Sequence, residues 1–210
     1  MTDIMGPLVE SLVRGDKDGA VKEASQLQEE GVPMERIVLE GIEVAMTKMD
    51  AKCTMDDFNL LEIMLVGRAV MEVMKVVVPS GVIPPTSKCT VVLATPEGDV
   101  HDLGKNIVKT IFTGKGYRVI DCGKDCPIDT MISSALKEKA DAIGVSGLIT
   151  SVVPKVKSLR PALRDAGLGN VKLLAGGAAL CQASAIELDV DYVATNVFTG
   201  AKYLESSGGD

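Results

Sequence analysis

The chain has 210 residues, of which 46% are hydrophobic, 24% charged and 3% aromatic, with no Trp. That composition fits one or two globular domains and excludes a disordered or low-complexity chain. Net charge is −7 and unevenly placed: residues 1–85 hold 8 Lys+Arg against 15 Asp+Glu, and residues 86–210 hold 14 of each. An acidic half and a neutral half argue for two units, and against nucleic acid as a partner, which needs a basic face. No apolar run approaches the length of a membrane span. The opening MTDIMGPLVESLVRGD has no basic region followed by an apolar core, so a secretory signal is not expected and the expected location is the cytoplasm. Ten methionines supply flexible thioethers where rings often fill gaps. The cysteines at 53, 89, 122, 126 and 181 form no CxxC pair. Cys122 and Cys126 lack a second pair to complete a zinc site and read as reduced, buried thiols.

Apolar residues recur at three and four through residues 1–78, the helical period. A first helix runs through Ile4, Leu8, Leu12 and Val13 and stops near Gly15. A second starts at Asp16, a good N-cap, and stops at Gly31. Pro33 suits the first turn of a third, with Ile37, Val38, Ile42, Ala45, Met46 and Met49 on one side. A fourth starts at Thr54 or Asp56, with Leu60, Leu61, Met64, Leu65, Met71, Met74 and Val78 inward. Four amphipathic helices with short connections predict a four-helix bundle. Residues 79–88, PSGVIPPTSK, hold three prolines and a glycine and read as a linker.

From residue 89 the rhythm changes. A β-branched run at 89–95 and short apolar runs at 117–122, 141–147, 171–177 and 191–195 alternate with helical segments near 102–113, 129–139, 152–166 and 180–188, and a last helix ends near Leu204. Five short apolar strands alternating with helices predict a parallel sheet covered on both faces, a Rossmann-like (flavodoxin-like) domain over 89–210. Ligands in such sheets sit beyond the carboxyl ends of the strands. The loops there are TPEGDVHDLGKN, SGLITS and GGAAL.

These loops carry the unusual chemistry. His101 is the only histidine and sits after the first strand, two residues beyond Asp99. A neutral imidazole binds a metal through one nitrogen when the other donates to a carboxylate. One imidazole cannot hold a free transition metal, but it can complete the coordination of a metal that arrives inside a macrocycle. An exposed loop histidine, with Asp102 capping the next helix, remains the alternative. Gly104 lets the backbone approach something bulky. Ser146 and Thr150 either hydrogen-bond a ligand or cap a helix. Gly176 and Gly177 either let a ring or phosphate lie on the backbone or serve a tight turn. None of these segments is GxGxxG or GxxxxGK[ST].

Taken together, the segments resemble the cobalamin-binding signature DxHxxG, SxL and GG. Asp99-Val100-His101-Asp102-Leu103-Gly104 is followed after 41 residues by Ser146-Gly147-Leu148, and after 27 more by Gly176-Gly177. GDVHDLGKNIV and SGLIT are similar to the methyl-transferring branch of that superfamily, which includes cobalamin-dependent methionine synthase and the small corrinoid proteins of methanogens and acetogens. The resemblance extends over the N-terminal helices.

The resemblance implies a corrinoid protein that carries a methyl group on cobalt and is not catalytic alone. A substrate:corrinoid methyltransferase and a methylcorrinoid:acceptor methyltransferase, acting on tetrahydrofolate or coenzyme M, would be its partners, with a reductive activase as a third. Donors in such systems are methoxylated aromatics, methanol, methylamines or quaternary amines. The resemblance implies base-off binding of cobalamin or a related corrinoid, with His101 as the lower cobalt ligand and Asp99 holding its far nitrogen. It places Asp102, Gly104, Ser146, Leu148, Thr150, Gly176 and Gly177 around the cofactor. The bundle would cover the upper face, and Met64 or Leu65 would cover the methyl group unless either packs in the bundle core.

Two positions depart from the pattern. Methionine synthase carries a hydroxyl residue two places after the Thr of SGLIT, where Val152 stands here and Ser151 is one residue early. After the last strand, Tyr192-Val193-Ala194 replaces a frequent Gly-Tyr-Ala. The same signature serves adenosylcobalamin mutase subunits, which need a barrel partner and no helical cap, and corrinoid sensors, which add a DNA-binding or signalling domain. The N-terminal helices and the lack of a basic helix-turn-helix favour the carrier. A flavodoxin-like binder of another ligand is the remaining reading.

Overall fold

A computed structural model describes residues 4–53, 60–78 and 89–207. The chain divides into two compact units, Met1–Ser80 and Gly81–Asp210. The expected linker, 79–88, and the expected start of the fourth helix lie outside the described residues.

The first unit is helical. Helix α1 spans Gly6–Val13 and α2 spans Lys17–Glu29. Asp16 caps α2, its carboxylate accepting from Gly19 N at 3.0 Å. Gly15 makes the turn between them with φ +68°, and a Cβ there would lie 2.6 Å from Leu65 Cβ. A short α3 (Met34–Arg36) runs through a π-helical turn (Ile37–Ile42) into α4 (Glu43–Cys53). Leu8 presses on Gly41 within that turn, where a Cβ would come 2.8 Å from Leu8 Cδ2. Helix α5 spans Leu60–Val77, and Gln28 Nε2 donates to its Val77 carbonyl at 3.2 Å.

The buried face of α5 differs from the sequence expectation. Met74 and Val78 are buried as expected, together with Val66, Ala69, Val70, Val73 and Val77, while Leu61, Met64 and Leu65 are exposed. The first half of α5 is apolar on several sides, so periodicity there does not select a face. Ile37, Val38, Ile42, Ala45 and Met49 are buried as their spacing predicts.

The second unit is a five-stranded parallel sheet. Its elements in order are β1 (Thr90–Ala94), α6 (Leu103–Gly114), β2 (Arg118–Asp121), α7 (Ile128–Glu138), β3 (Ala142–Ser146), α8 (Val153–Asp165), β4 (Lys172–Gly176), α9 (Ala185–Leu188), β5 (Tyr192–Ala194) and α10 (Val197–Ser207). The strand order is β2-β1-β3-β4-β5, every pair parallel. Val92, Ile143, Val145, Leu173 and Ala175 meet Met131 and Ala135 of α7 and Val156, Leu159 and Leu163 of α8 in one apolar cluster. Helices α6 and α10 pack with each other on the remaining elements, with Ile111, Phe112, Phe198 and Leu204 buried. At the amino ends of the strands, Asp141 accepts from Thr90 N and Asp191 from Leu173 N, each at 2.7 Å. Asp191 also pairs with the buried Arg160.

The segment expected as one helix near 180–188 is two short pieces. A 3-10 turn, Leu180–Gln182, precedes α9. Ser184 breaks the run by forming a capping box with Glu187, which starts a new helix.

Leu173 is fully buried in the cluster and Ile186 is almost fully exposed. Leu173→Ala should lower stability by about 2–5 kcal/mol. Ile186→Ala should stay within about 0.5 kcal/mol of the parent. Urea unfolding followed by circular dichroism measures both.

Candidate functional site

The carboxyl end of β1 is followed by a loop pinned on both sides. Thr95 N donates to Gly123 O at 3.0 Å and Glu97 N to Cys126 O at 2.9 Å, which joins it to the segment after β2. Gly98 takes φ +93°, which favours glycine, and donates its N–H to Asp125 Oδ1 at 2.7 Å. Asp125 N in turn donates to Asp99 O at 2.9 Å.

Asp99 is the centre of this arrangement. It is 0% exposed, and three donors reach its carboxylate. Oδ1 accepts from His101 N at 2.9 Å and lies 2.7 Å from His101 Nδ1. Oδ2 accepts from Leu148 N, beyond the end of β3, at 2.7 Å. Burial pushes the carboxyl pKa up, but the backbone N–H groups of His101 and Leu148 and the imidazole outweigh it and hold Asp99 below its ordinary value. An ionised carboxylate only accepts, so the neutral ring carries its proton on Nδ1 and leaves the Nε2 lone pair open. The His101 side chain is 51% exposed, and Nε2 has no partner among the described residues.

The other expected residues fall around this pair in different ways. Asp102 is the N-cap residue of α6 without a side-chain cap bond; its carbonyl accepts from Asn106 N at 2.9 Å. Gly104 faces Ser146: a Cβ there would lie 3.5 Å from Ser146 Oγ. Ser146 ends β3 and is paired with Gly176 of β4. Gly177 has φ +93° and a Cβ there would strike Gly147 O at 2.6 Å, so close approach of two backbones alone demands glycine. Thr150 is exposed and opens a 3-10 turn, Thr150–Val152. Val152 is buried in the apolar cluster, and Ser151 is exposed. Among the described residues neither side chain hydrogen-bonds Asp99, whose second oxygen accepts from Leu148 N.

The sequence reading missed three features. The Leu148 N–H is a backbone donor and leaves no mark on residue type. Lys105, with its side chain 2% exposed, donates to Asp121 Oδ1 at 2.7 Å and to Asn106 Oδ1 at 2.8 Å. A lysine inside the buried stripe of α6 was its one available signal. Thr95 Oγ1 is buried without a partner among the described residues, at the end of β1.

The donor set fits a metal that brings its own equatorial ligands. Among the described residues, no group of three or more His, Cys, Asp or Glu could hold a bare ion. A half-exposed imidazole with one open nitrogen, oriented by a buried carboxylate, would suit such a group by offering it one further ligand. The exposed apolar side chains of Val100 and Leu148 lie on the same two loops.

A family model described as the B12 binding domain matches residues 89–202. A corrinoid protein of Desulfitobacterium hafniense is 33% identical over 195 residues, covering 90% of this chain and 89% of its own. The chain belongs to the B12-binding corrinoid proteins. Dimethylamine corrinoid protein 1 of Methanosarcina acetivorans is 31% identical over 199 residues, with 92% of each chain covered. The structure of the monomethylamine corrinoid protein of Methanosarcina barkeri superposes with a TM-score of 0.83 at 26% identity, over 97% of this chain and 98% of that one. The family's cofactor is a cobalamin-type corrinoid, and the Asp99–His101 pair lies inside the matched region. No described helix is long and apolar enough to cross a membrane.

Asp99 makes stability depend on acid. Its folded pKa lies below its ordinary 3.8. The contribution is therefore fully present well above pH 3.8 and is lost as pH falls below that value toward the folded pKa. At neutral pH, Asp99→Asn should be less stable than the parent by about 1–3 kcal/mol. Urea midpoints of the two proteins should converge on acidification below pH 3.8; a gap that stays constant contradicts the assignment.

Proposed function

We propose that this chain carries a methyl group on a bound corrinoid, received from a substrate:corrinoid methyltransferase and passed to an acceptor methyltransferase. The observation that carries the reading is the buried Asp99 carboxylate fixing His101 with Nε2 open. Methylated amines are the favoured donors, because relatives across the length of the chain are named as dimethylamine corrinoid proteins. The acceptor in this reading is tetrahydrofolate or coenzyme M. A reductive activase is a third partner, and the setting is the cytoplasm. Residues 1–78 are a four-helix cap, 79–88 its linker and 89–210 the corrinoid-binding domain.

When bound, the corrinoid supplies a cobalt centre that takes up and releases the methyl group. His101 would hold the cobalt through Nε2, in place of the corrinoid's own base. Asp99 keeps the proton on Nδ1 and raises the ring's donor strength. Asp102 and Gly104 border the ring from the start of α6. Ser146, Leu148 and Thr150, with Gly176 and Gly177, would hold the nucleotide tail at the ends of β3 and β4. Moving the shared proton of the Asp99–His101 pair changes how strongly the imidazole donates, which gives the chain a means to favour loading or release.

Reconstitution with hydroxocobalamin tests this reading. His101→Ala should still bind, more weakly, with the absorbance of the bound corrinoid shifted toward that of a form lacking imidazole. Asp99→Asn should keep the ligand but slow methyl transfer by roughly 10–100-fold. An unchanged spectrum in His101→Ala removes this residue from the coordination sphere.

A further inference from the structure

The segment after β2 is tied to the His101 loop, and it carries two thiols with no role in the reading above. Cys122 N donates to Leu93 O at 2.8 Å and Cys126 N to Thr95 O at 3.0 Å. Those bonds set Cys122 beside Ala94, and Cys126 bridges to Pro96. The two cysteines therefore stand two residues apart along the neighbouring chain. Residues at that spacing share one face, with Cα atoms about 6.6 Å apart. A disulfide spans roughly 4.4–6.8 Å between Cα atoms. The three residues between them bulge out, with Gly123 at φ +82° and Asp125 at φ +51°.

The side chains point the same way. Cys126 is buried in the apolar cluster beneath the sheet, and Cys122 packs against the same cluster, half-buried. Both thiols are free. Cys126 Sγ donates to Pro127 O at 3.6 Å, and the Cys122 thiol is its near neighbour. Burial first, and this neighbour second, push the Cys126 thiol up to about 11. Cys126 is thus a poor nucleophile alone, and Cys122 is the sulfur that a reagent in water meets first.

We propose that Cys122 and Cys126 form a redox pair that closes to a disulfide by exchange with a small-molecule disulfide. The Cys122 thiolate attacks one sulfur of the oxidant, and the other half leaves as a thiolate. Cys126 gives its proton to water and attacks the Cys122 sulfur, and the second half leaves as a thiolate that takes a proton. Two protein thiols are oxidised and one small disulfide is reduced to two thiols.

Closure acts on the site through Asp125. That residue lies between the two sulfurs in sequence, donates its N–H to Asp99 O at 2.9 Å and accepts from Gly98 N at 2.7 Å. Drawing the sulfurs into a covalent bond displaces the bulge, slackens Asp99 and loosens its hold on the His101 ring.

The test uses the full chain and oxidised glutathione as the probe. Trypsin cuts after Lys124, between the two cysteines, so the bond links peptide 119–124 to peptide 125–137. Mass spectrometry should find that linked pair, lighter by two hydrogens than the sum of its parts. Cys126→Ser should instead accumulate a glutathione adduct on Cys122. Persistent adducts on Cys122 in the parent, or pairing of Cys122 with Cys89 or Cys181, overturn the proposal. His101 is the only histidine, so the carbethoxyhistidine that diethylpyrocarbonate forms, followed by its own absorbance, reports on it alone. Its rate of modification should rise about threefold or more on oxidation, the scale of one weakened hydrogen bond. Equal rates in oxidised and reduced protein refute the link to Asp99.

Discussion

A carboxylate shut away from water must be satisfied where it stands, and Asp99 is satisfied by three N–H donors. Two come from the backbone and are fixed by the fold: one from its own loop, one from the loop after β3. The third is the His101 ring. Breaking any of them leaves a buried charge short of a partner, a loss well above that of a surface contact. The ring therefore has one favoured orientation and one favoured tautomer. A flexible loop histidine would have neither, and its use as a metal ligand would cost the entropy of ordering it.

The sheet explains why this carboxylate can be reached from two loops. In the order β2-β1-β3-β4-β5, β1 and β3 are neighbours, and the chain leaves them toward different helices. Helix α6 packs with α10, and α8 with α7. The point where the chain turns two ways at the strand ends is the usual place for a ligand in such sheets. The Asp99–Leu148 hydrogen bond joins the two loops there. Next to it, β3 and β4 approach so closely that Gly177 meets the Gly147 carbonyl. The glycine pair is thus explained by backbone packing before any ligand is considered, and a ligand would exploit a surface that the strands already require to be bare.

The strands were legible because each is a short, mostly apolar run between turn residues, and all five lie within the expected segments. The Asp99–His101 contact was legible too, since two residues of separation in a tight loop brings the side chains together. The faces of α5 were not, because its first turns are apolar on several sides and only tertiary packing chooses among them. Leu148 was named as a ligand contact, yet what it gives Asp99 is a backbone N–H, which no residue type encodes. Lys105 was hidden for a related reason: a charge within a buried stripe makes sense only once Asp121 is seen waiting at the end of the neighbouring strand.

Two carboxylates at this end of the sheet are kept ionised by different means. Asp121 is also held below its ordinary pKa, with burial opposing and Lys105, Gly123 N and Lys109 prevailing. Two of its partners are lysines, so its charge is paired locally. Among the described residues no Lys or Arg pairs with Asp99, which is held only by two backbone N–H dipoles and the His101 ring. Dipoles lower the energy of a buried anion without cancelling its charge. The uncancelled charge of Asp99 is therefore felt by the imidazole, which is drawn toward holding a proton on Nδ1 and donating electrons from Nε2. A lysine placed beside Asp99 as Lys105 is placed beside Asp121 would leave the carboxylate equally stable and the ring without that influence. The separation of the two solutions within one sheet end is what lets one carboxylate serve the architecture and the other serve the histidine.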